Sequence, residues 1–599
     1  MLLEYISLGI YLLILLILGA YFARFNKDLS DFVRGGAQGT WWLVGSSILM
    51  AGISAFTFTG NASAAFEAGP SLLVIYAANC AGFIVGAIWI GPWLRQTRAY
   101  TSVDVVRNRY GVAVEQFGAY FGMVLGPIGA AIQLYALSLF ASTALGLPLT
   151  PTLITIAVIV VFYSTSGGKW AVMATDFVQA LVMFSITLLV CYLSLRAIGG
   201  VGGFLSHFTD PKISQDYSFF KDAGQFPGDR YTLKWAVVIF FMQLNSQIGL
   251  TSATRYIAAR DGREASKAAW FSCVLMAIGS LVWFIPPMVA RFLFEADILN
   301  SGLDKPSENA YAFIAIKLLP DGMVGMLIAA MFAATMSSMD SGLNGQVGIL
   351  VRNVIPRLRS VFGSKHELSR AVEMRICHVA TVVLGLLIVI CALLLAKNDE
   401  IALFDVSLMV ASVIGIPMSF PLFLGLWFKS LPKWSYFPIF IACLVPSLWS
   451  FIDGRYYDNA WTIQDRAMWI MLLGCIVAIV CSLLGRFKSQ KDVDEIEDFY
   501  RQMHTPIDYA AEIGESEVDY EQYFVIGKAS LVIGGLICFL LLIPNSFSER
   551  ASILFVAAFV ISVGLWLLAG GRRIKRHYLD REATSGLSQK VCYESRKEL

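Results

Sequence analysis

The stretch AATMSSMDSGLNG, residues 333–345, places a carboxylate and several hydroxyls inside a long apolar segment. On a helix, residues three and four positions apart share a face, so Ser337, Asp340 and Ser341 are expected to point the same way. Ionisable groups inside a membrane are costly and usually face a cavity or a partner. We interpret this face as a column of oxygen ligands for a monovalent cation such as Na⁺. The alternative is that small serines let two helices pack closely.

The whole chain has the composition of a membrane protein. Of its 599 residues, 57% are hydrophobic and 15% are charged, and the mean hydropathy is +0.66, which is typical of a polytopic protein in a lipid bilayer. A helix of about 20 apolar residues spans the hydrocarbon, and about fifteen such segments occur. They lie near residues 3–23, 40–66, 70–95, 117–145, 151–166, 171–197, 233–255, 268–295, 310–350, 374–396, 402–428, 433–452, 468–486, 528–544 and 551–570.

Lysine and arginine collect in alternate loops between these segments, and cytoplasmic loops carry that excess. Placing these basic loops in the cytoplasm predicts an amino terminus outside and a carboxyl terminus in the cytoplasm, which requires an odd number of spans. The compact loops favour a bacterial inner membrane. Residues 487–527 are acidic after a basic start. We interpret this loop as a helical or partly disordered connector, and favour a solvated linker over a regulatory or partner-binding role.

Several functional classes are excluded by charge and motif content. The formal net charge is +2, and no basic surface indicates a nucleic-acid partner. The cysteines and histidines lack metal-ligand spacing, and no phosphate-binding glycine loop indicates ATP-driven pumping. No nucleophile, base and orienting group lie together in the spans, so an enzyme is not expected. A rival hypothesis is a membrane sensor that binds a solute and signals through the 487–527 loop.

Four segments in fixed order resemble the hallmark segments of the sodium/solute symporter family, which includes sugar and sialic acid carriers. They read SSILMAGISAFTFTGNASAAFEAG (46–69), GGKWAVMATDFVQALVMF (167–184), RYIAARDGREASKAAW (255–270) and AATMSSMDSGLNG (333–345). Their order and spacing agree with that family over roughly residues 1 to 450. Together they are a specific signal, whereas any one of them would be weak.

This resemblance implies an all-α polytopic membrane protein with a LeuT-like core of two inverted five-helix repeats. One extra helix precedes the core and about four follow it, and ions and solute bind near the midplane at broken helices. Gly52 and Gly249 lie mid-span in the first helix of each repeat, where such breaks are expected. The implied domains are an N-terminal helix and first cytoplasmic loop (1–39), the first repeat with core helices 1–5 (40–200), an extracytoplasmic loop (201–232), the second repeat with core helices 6–10 (233–428), peripheral helices (429–486), an acidic cytoplasmic loop (487–527), the last two helices (528–570) and a basic cytoplasmic tail (571–599).

The resemblance implies Na⁺ as the coupling ion, one or two per cycle, and a first sodium site at the break in core helix 1. Transferred residue by residue, its ligands would be the backbone carbonyls of Met50, Ile53 and Ala334 and the hydroxyls of Ser337 and Ser338.

A second sodium site is implied by similarity to the sialic acid symporters of the family. The matching positions are Asp176, Ser337, Asp340 and Ser341. Asp340 departs from the family pattern, in which a serine is usual here, and the extra carboxylate could tighten the second ion, change its coupling or make the site sensitive to protons.

Solute contacts are expected from the two broken helices. Neutral amides and hydroxyls suit a sugar or another polyol, so we predict a symporter that imports a small polar solute, most simply a sugar or sugar derivative; a symporter for a carboxylate or an amino acid is the alternative. The family's sugar carriers usually have Asn and Gln where this chain has Gly52 and Thr57, and core helix 3 lacks the arginine by which sialic acid carriers hold a carboxylate. Each polar residue could also serve only as a hydrogen-bonding contact between helices. The candidates are Gly52, Thr57, Thr59, Asn61, Gln243, Asn245 and Gln247.

Overall fold

The computed structural model is helical where the sequence predicts membrane spans. Within the described residues, ten helices are long and apolar enough to cross a bilayer. Helices suit these segments because each backbone N–H and C=O in lipid must find a partner within its own segment. The predicted all-α polytopic fold class is confirmed. The structure describes residues 2–23, 35–166, 169–211, 213–248, 254–301, 305–363, 369–397, 403–456, 461–485, 489–512 and 518–595.

The first repeat begins with a broken helix, as Gly52 predicts. The helix stops at Ala51 and resumes at Ala55, and Ser54 caps the second half by accepting a hydrogen bond from the Phe56 N–H at 3.3 Å. Core helix 1 comprises Trp41–Ala51, Ala55–Phe58 and Gly60–Ala68; core helix 2 comprises Leu73–Val85, a π-turn at Gly86–Ile90 and Gly91–Gln96; core helices 3, 4 and 5 are Val112–Leu145, Leu149–Ser166 and Lys169–Ala197.

The second repeat begins with core helix 6, which is described to Ile248. Gly249, the predicted break, lies outside the described residues. Core helix 6 is Leu233–Ile248 and core helix 7 is Gly262–Leu299; core helix 8 is Met323–Ile349, continued by a π-turn at Leu350–Val354 and by Ile355–Val361; core helix 9 is Arg370–Leu395; core helix 10 comprises Leu403–Val410, a π-turn at Ala411–Gly415 and Ile416–Trp427.

Core helix 1 packs closely on core helix 7 through Gly45. The Ser272 hydroxyl donates to the Gly45 carbonyl at 2.8 Å, and a Cβ added at Gly45 would lie 2.8 Å from the Ala268 carbonyl oxygen. Small residues permit such approaches between membrane helices. This contact fixes the half of core helix 1 that leads to its break.

The chain divides into two units. The larger comprises Met1–Leu319 and Val324–Ile507, and the smaller comprises Pro320–Met323 and Asp508–Leu599. In the smaller unit, two helices approach at Gly527 and Gly564, where a Cβ added to either glycine would lie 3.0 Å from the other's carbonyl oxygen. Outside the core, the larger unit contains Leu2–Ala23, Ser102–Tyr110, Gly200–Ser206, Ala310–Leu318, Tyr436–Tyr456, Ile463–Leu484 and Gln490–His504, and the smaller contains Tyr509–Glu512, Val518–Phe539 and Phe547–Ser595.

Part of the predicted acidic linker is a packed amphipathic helix, Gln490–His504. Its apolar side chains Ile496, Phe499 and Met503 are buried, at the three- and four-residue spacing that forms one helix face. The Tyr500 hydroxyl donates to the carbonyl of Gly425 in core helix 10 at 2.7 Å. This part of the loop therefore packs on the protein and is not a solvated linker.

The loop between core helices 5 and 6 closes over the end of core helix 1 through Lys221. Its ammonium donates to the Ala68 carbonyl at 3.0 Å and to the Ser218 carbonyl at 2.5 Å. The carboxyl end of a helix favours such a cation. Burial lowers the pKa of Lys221 to about 8, against the opposing influence of the Asp216 carboxylate.

We expect this lysine to make stability depend on alkaline pH. Its pKa in the folded protein lies below its ordinary value of 10.5, so the unfolded chain holds the proton more tightly. Stability then rises as pH increases from about 8 to above 10. The melting temperature of the wild type, relative to that of Lys221→Met, should rise by a few degrees over this range, measured by thermal unfolding in detergent. If the melting temperatures of the wild type and of Lys221→Met change with pH in the same way, the prediction is contradicted. Lys397→Met, at an exposed lysine, is the matched control.

Candidate functional site

Oxygen atoms from core helices 1 and 8 converge at the break in core helix 1. The Ser338 Oγ lies 3.1 Å from the Met50 carbonyl oxygen, 2.9 Å from that of Ile53 and 3.2 Å from that of Ala334. A hydroxyl has one proton to donate, so it cannot satisfy all three carbonyls at once. The neighbouring Ser337 Oγ is buried and has no hydrogen-bond partner among the described residues. The arrangement offers clustered oxygen ligands for a small cation, and it brings together Met50, Ile53, Ala334 and Ser338 of the residues predicted for the first sodium site. Ser337, the fifth predicted residue, precedes Ser338 on core helix 8.

Core helix 8 also holds the second half of the broken helix in place. The Ala55 N–H, at the start of that half, donates to the Thr335 Oγ1 at 2.9 Å. The Thr335 hydroxyl in turn donates to the Met331 carbonyl at 3.0 Å. The break exposes backbone groups that would otherwise pair within the helix, and one turn of core helix 8 binds them on both sides.

Three of the four residues predicted for the second sodium site, Asp176, Ser337 and Asp340, are buried, and Ser341 is partly buried. Asp176 has partners that the sequence did not predict. Asp176 is fully buried and Asp340 is nearly so. The Ser47 hydroxyl donates to the Asp176 Oδ2 at 2.5 Å. The Arg255 Nη1 donates to the Ser47 Oγ at 2.6 Å and lies 3.6 Å from the Asp176 Oδ2. The Ser341 Oγ is buried, and no described residue forms a hydrogen bond with it. Asp176 therefore belongs to a buried ion pair that also ties core helix 5 to core helix 1.

A central cavity of about 430 Å³ lies beside the break. Of the predicted solute contacts, Thr59 and Asn245 are not in its lining. The Thr59 hydroxyl donates to the Ala55 carbonyl at 3.1 Å, and the Asn245 amide donates to the Ser419 Oγ at 2.6 Å, so both bond within the helix packing. The predicted residues that do line the cavity are Gly52, Thr57, Asn61, Gln243 and Gln247.

Core helix 2 contributes cavity residues that the sequence analysis did not single out. The Asn79 Oδ1 accepts hydrogen bonds from the Gln243 Nε2 at 2.8 Å and the Gln247 Nε2 at 3.0 Å. The Asn61 amide donates to the Tyr76 hydroxyl at 2.8 Å. A lone amide in an apolar span was the available signal for Asn79. Further polar lining residues missed from sequence are Ser54, Gln133, Ser246, Arg255 and Ser407.

These contacts orient the cavity's amides. The Asn79 carbonyl oxygen accepts hydrogen bonds from the NH₂ groups of Gln243 and Gln247. The Asn79 NH₂ group and the carbonyl oxygens of the two glutamines therefore take no part in these two hydrogen bonds. Fixed neutral donors and acceptors of this kind select ligands by their hydroxyl and amide pattern. The cavity is thus suited to a small polar molecule, beside a cluster of cation ligands.

The helical core and the oxygen cluster at a broken helix define a LeuT-like ion-coupled transporter. The chain belongs to the sodium:solute symporter family, whose model matches residues 32–433. It is therefore a multi-pass membrane protein and a sodium-coupled symporter, with Na⁺ as its coupling ion, and it is not an enzyme.

Individual relatives are distant in sequence but similar in length and fold. A sodium/sialic acid symporter from Aliivibrio fischeri is 25% identical over 517 residues, which cover 83% of this chain and 95% of the relative. A sodium/glucose cotransporter from Vibrio parahaemolyticus is 24% identical over 384 residues, 60% of this chain and 70% of the relative. The solved structure of a Na⁺-coupled sialic acid symporter in a substrate-bound outward-open state matches with a TM-score of 0.67 and 20% identity, over 80% of this chain and 98% of that one. This last similarity shows the LeuT-like fold.

Proposed function

We propose that the protein imports a sugar or sugar derivative together with Na⁺, by alternating access, using the sodium gradient. The observation that carries this proposal is the central cavity, whose neutral amides are held by one another beside the oxygen cluster at Ser338. The relatives named above as sodium/sialic acid and sodium/glucose symporters support the same class of solute.

The first Na⁺ would bind the carbonyls of Met50, Ile53 and Ala334 with the hydroxyls of Ser337 and Ser338. Na⁺ prefers oxygen ligands, and a set without a carboxylate holds a monovalent ion weakly enough to release it in each cycle. The unpartnered Ser337 hydroxyl supports this assignment, because a buried polar group without a partner is costly unless a ligand satisfies it.

The second Na⁺ would bind between core helices 5 and 8, at Asp176, Ser337, Asp340 and Ser341. Both carboxylates are buried, and the Ser341 hydroxyl has no hydrogen-bond partner within the described ranges. A cation between them would offset the cost of burying negative charge.

The charge of the cavity favours a neutral solute over a carboxylate. Arg255 lines the cavity, but its guanidinium bonds to Ser47 and lies beside the Asp176 carboxylate. A solute carboxylate would have to compete with Asp176 for this arginine. As the transported solute, we therefore propose a neutral sugar ahead of an acidic sugar such as a sialic acid. An amino acid comes after both.

In the membrane we propose an amino terminus outside and a carboxyl terminus in the cytoplasm of a bacterial cell. The basic loops between alternate spans support this orientation. We also propose that the two repeats comprise residues 40–200 and 233–428. The basic tail, residues 571–599, would lie in the cytoplasm.

Thermal unfolding of the detergent-purified protein tests this function. We expect a neutral sugar to raise the melting temperature by several degrees in Na⁺ but not in K⁺, because a ligand that binds only the folded state stabilises it. The panel should contain hexoses, polyols, N-acetylneuraminate, amino acids and carboxylates. The stabilising solute should then accumulate in proteoliposomes against its own gradient when Na⁺ is higher outside. Binding without accumulation would favour the sensor hypothesis, and stabilisation by a carboxylate or an amino acid alone would overturn the choice of solute.

A further inference from the structure

A stripe of buried polar atoms continues along core helix 8 beyond the proposed sodium sites. Ser337, Ser341 and Asn344 recur at intervals of four and three residues, so they share one face of the helix. The Ser337 and Ser341 hydroxyls and both amide atoms of Asn344 are buried without a hydrogen-bond partner in the part of the chain that the structure describes. Asn344 is only 2% exposed. Buried side-chain amides nearly always find partners, so this one indicates a ligand.

The stripe ends at a small cavity of about 10 Å³. That volume is enough for a single water molecule or a single small ion. Core helix 8 contributes Ser341, Asn344 and Gly345 to its lining, and the loop after core helix 2 contributes Tyr100, Thr101 and Ser102, with Thr254 completing it. At about 1.5 Å per residue, Asn344 lies roughly 10 Å along the helix from Ser337.

We propose that Ser341 and Asn344 form a release station for the coupling cation, at which Na⁺ pauses between the sodium sites and the cytoplasm. The inference rests on the proposed function and on its orientation, which places the loop after core helix 2 in the cytoplasm. The station extends the binding path by one helical turn and adds Asn344 as a ligand.

The surrounding charge favours a cation at this position. Asp340 lies on the same stretch of helix, one turn from Asn344, and is buried. The amide oxygen of Asn344 and the hydroxyl of Ser341 are oxygen ligands of the kind that Na⁺ accepts. An anion would meet a buried carboxylate at close range, which is costly in a poorly solvated interior.

The loop after core helix 2 contributes an aromatic residue to the station. Tyr100 is part of the cavity wall, and the Arg352 guanidinium lies 4.0 Å from the centre of the Tyr100 ring. Arg352 is in turn held by Asp104, at 3.2 Å from its Nε. Escape of the ion to the cytoplasm requires this wall to move, so the station retains the ion until the inward-facing state forms.

Radioactive sodium flux in oriented membrane vesicles tests the station from each side separately. In inside-out vesicles the cytoplasmic face is outside, and the half-saturating Na⁺ concentration there should fall about tenfold in Asn344→Asp, since a carboxylate binds a cation more strongly than an amide. In Asn344→Leu it should rise about tenfold. In right-side-out vesicles, the half-saturating external Na⁺ should stay within about twofold of the wild type in both variants.

Opposite shifts of the cytoplasmic half-saturating Na⁺ concentration in Asn344→Asp and Asn344→Leu would show that Asn344 is a ligand. If Asn344 only stabilised the packing, both substitutions would impair transport in the same direction. Gln346→Leu is the matched control, because the Gln346 Oε1 on the same helix is also buried without a hydrogen-bond partner among the described residues but lies outside the cavity lining. If the cavity and not an unpartnered amide alone defines the station, this variant should shift neither face. An unchanged cytoplasmic half-saturation in Asn344→Asp would mean that the cavity holds water only, and would overturn the station while sodium transport stands. A wild type without sodium flux would instead refute the proposed function, and the station with it.

Discussion

Replacing Ser338 by alanine is expected to raise the Na⁺ concentration for half-maximal solute uptake roughly tenfold to hundredfold. The Ser338 Oγ lies within 3.2 Å of the carbonyl oxygens of Met50, Ile53 and Ala334, so it would be a direct ligand of the first Na⁺. Hydrogen bonds and similar contacts to charged groups contribute about 1.5–3 kcal/mol each, and each 1.4 kcal/mol is about a tenfold change in affinity. The solute itself should still bind when Na⁺ is saturating.

Initial uptake rates at varied external Na⁺ measure this effect. Ser338→Thr retains the hydroxyl and is the matched control, which should keep sodium dependence near that of the wild type. Thermal unfolding in K⁺ reports whether either variant is merely less stable. An unchanged half-saturating Na⁺ concentration in Ser338→Ala would remove this serine from the ion site.

The spans and the oxygen cluster at the break in core helix 1 could be predicted from the sequence because their signals are local. Long apolar runs must be helical in lipid, and Gly52 marks the break because glycine weakens a helix. The ligands that we propose for the first site lie within a few residues of that break or within one turn of core helix 8. Their resemblance to known symporter segments therefore located the whole cluster.

Other parts of the site depend on contacts between distant segments and left no periodic signal. Arg255 reaches Asp176 and Ser47 across the core, and Asn79 is a lone amide whose role emerges only when Gln243 and Gln247 bond to it. The packed helix at Gln490–His504 had a visible apolar spacing, but its acidic composition outweighed that pattern in the sequence interpretation.

The second large effect is expected at Asp340. Asp340→Asn should lower the number of Na⁺ ions moved per solute from two to one, because the substitution removes one of the carboxylates proposed to hold the second ion. The first site would remain, so transport continues with a weaker driving force. Reversal potentials of solute-driven current in proteoliposomes measure this ratio, and the Hill coefficient for Na⁺ should fall with it.

Substituting Asp176 is a less direct test of the second sodium site, because Asp176 also pairs with Arg255. Asp176→Asn alone would leave the Arg255 guanidinium, 4% exposed, without its carboxylate, and breaking a buried ion pair costs about 3–5 kcal/mol. Loss of transport in that variant would therefore report misfolding as readily as loss of an ion. The double variant Asp176→Asn, Arg255→Gln removes both charges and should recover much of the stability.

The number of Na⁺ ions transported per solute can then be compared between the variants of Asp340 and of Asp176. If the second ion binds between core helices 5 and 8, Asp340→Asn and the Asp176→Asn, Arg255→Gln double variant should both transport with one Na⁺ per solute. A double variant that folds and still moves two ions would show that Asp176 only anchors Arg255. The second Na⁺ would then lie wholly on core helix 8, with Asp340 as its sole carboxylate, because Ser337 and Ser341 supply the remaining oxygen atoms on that face.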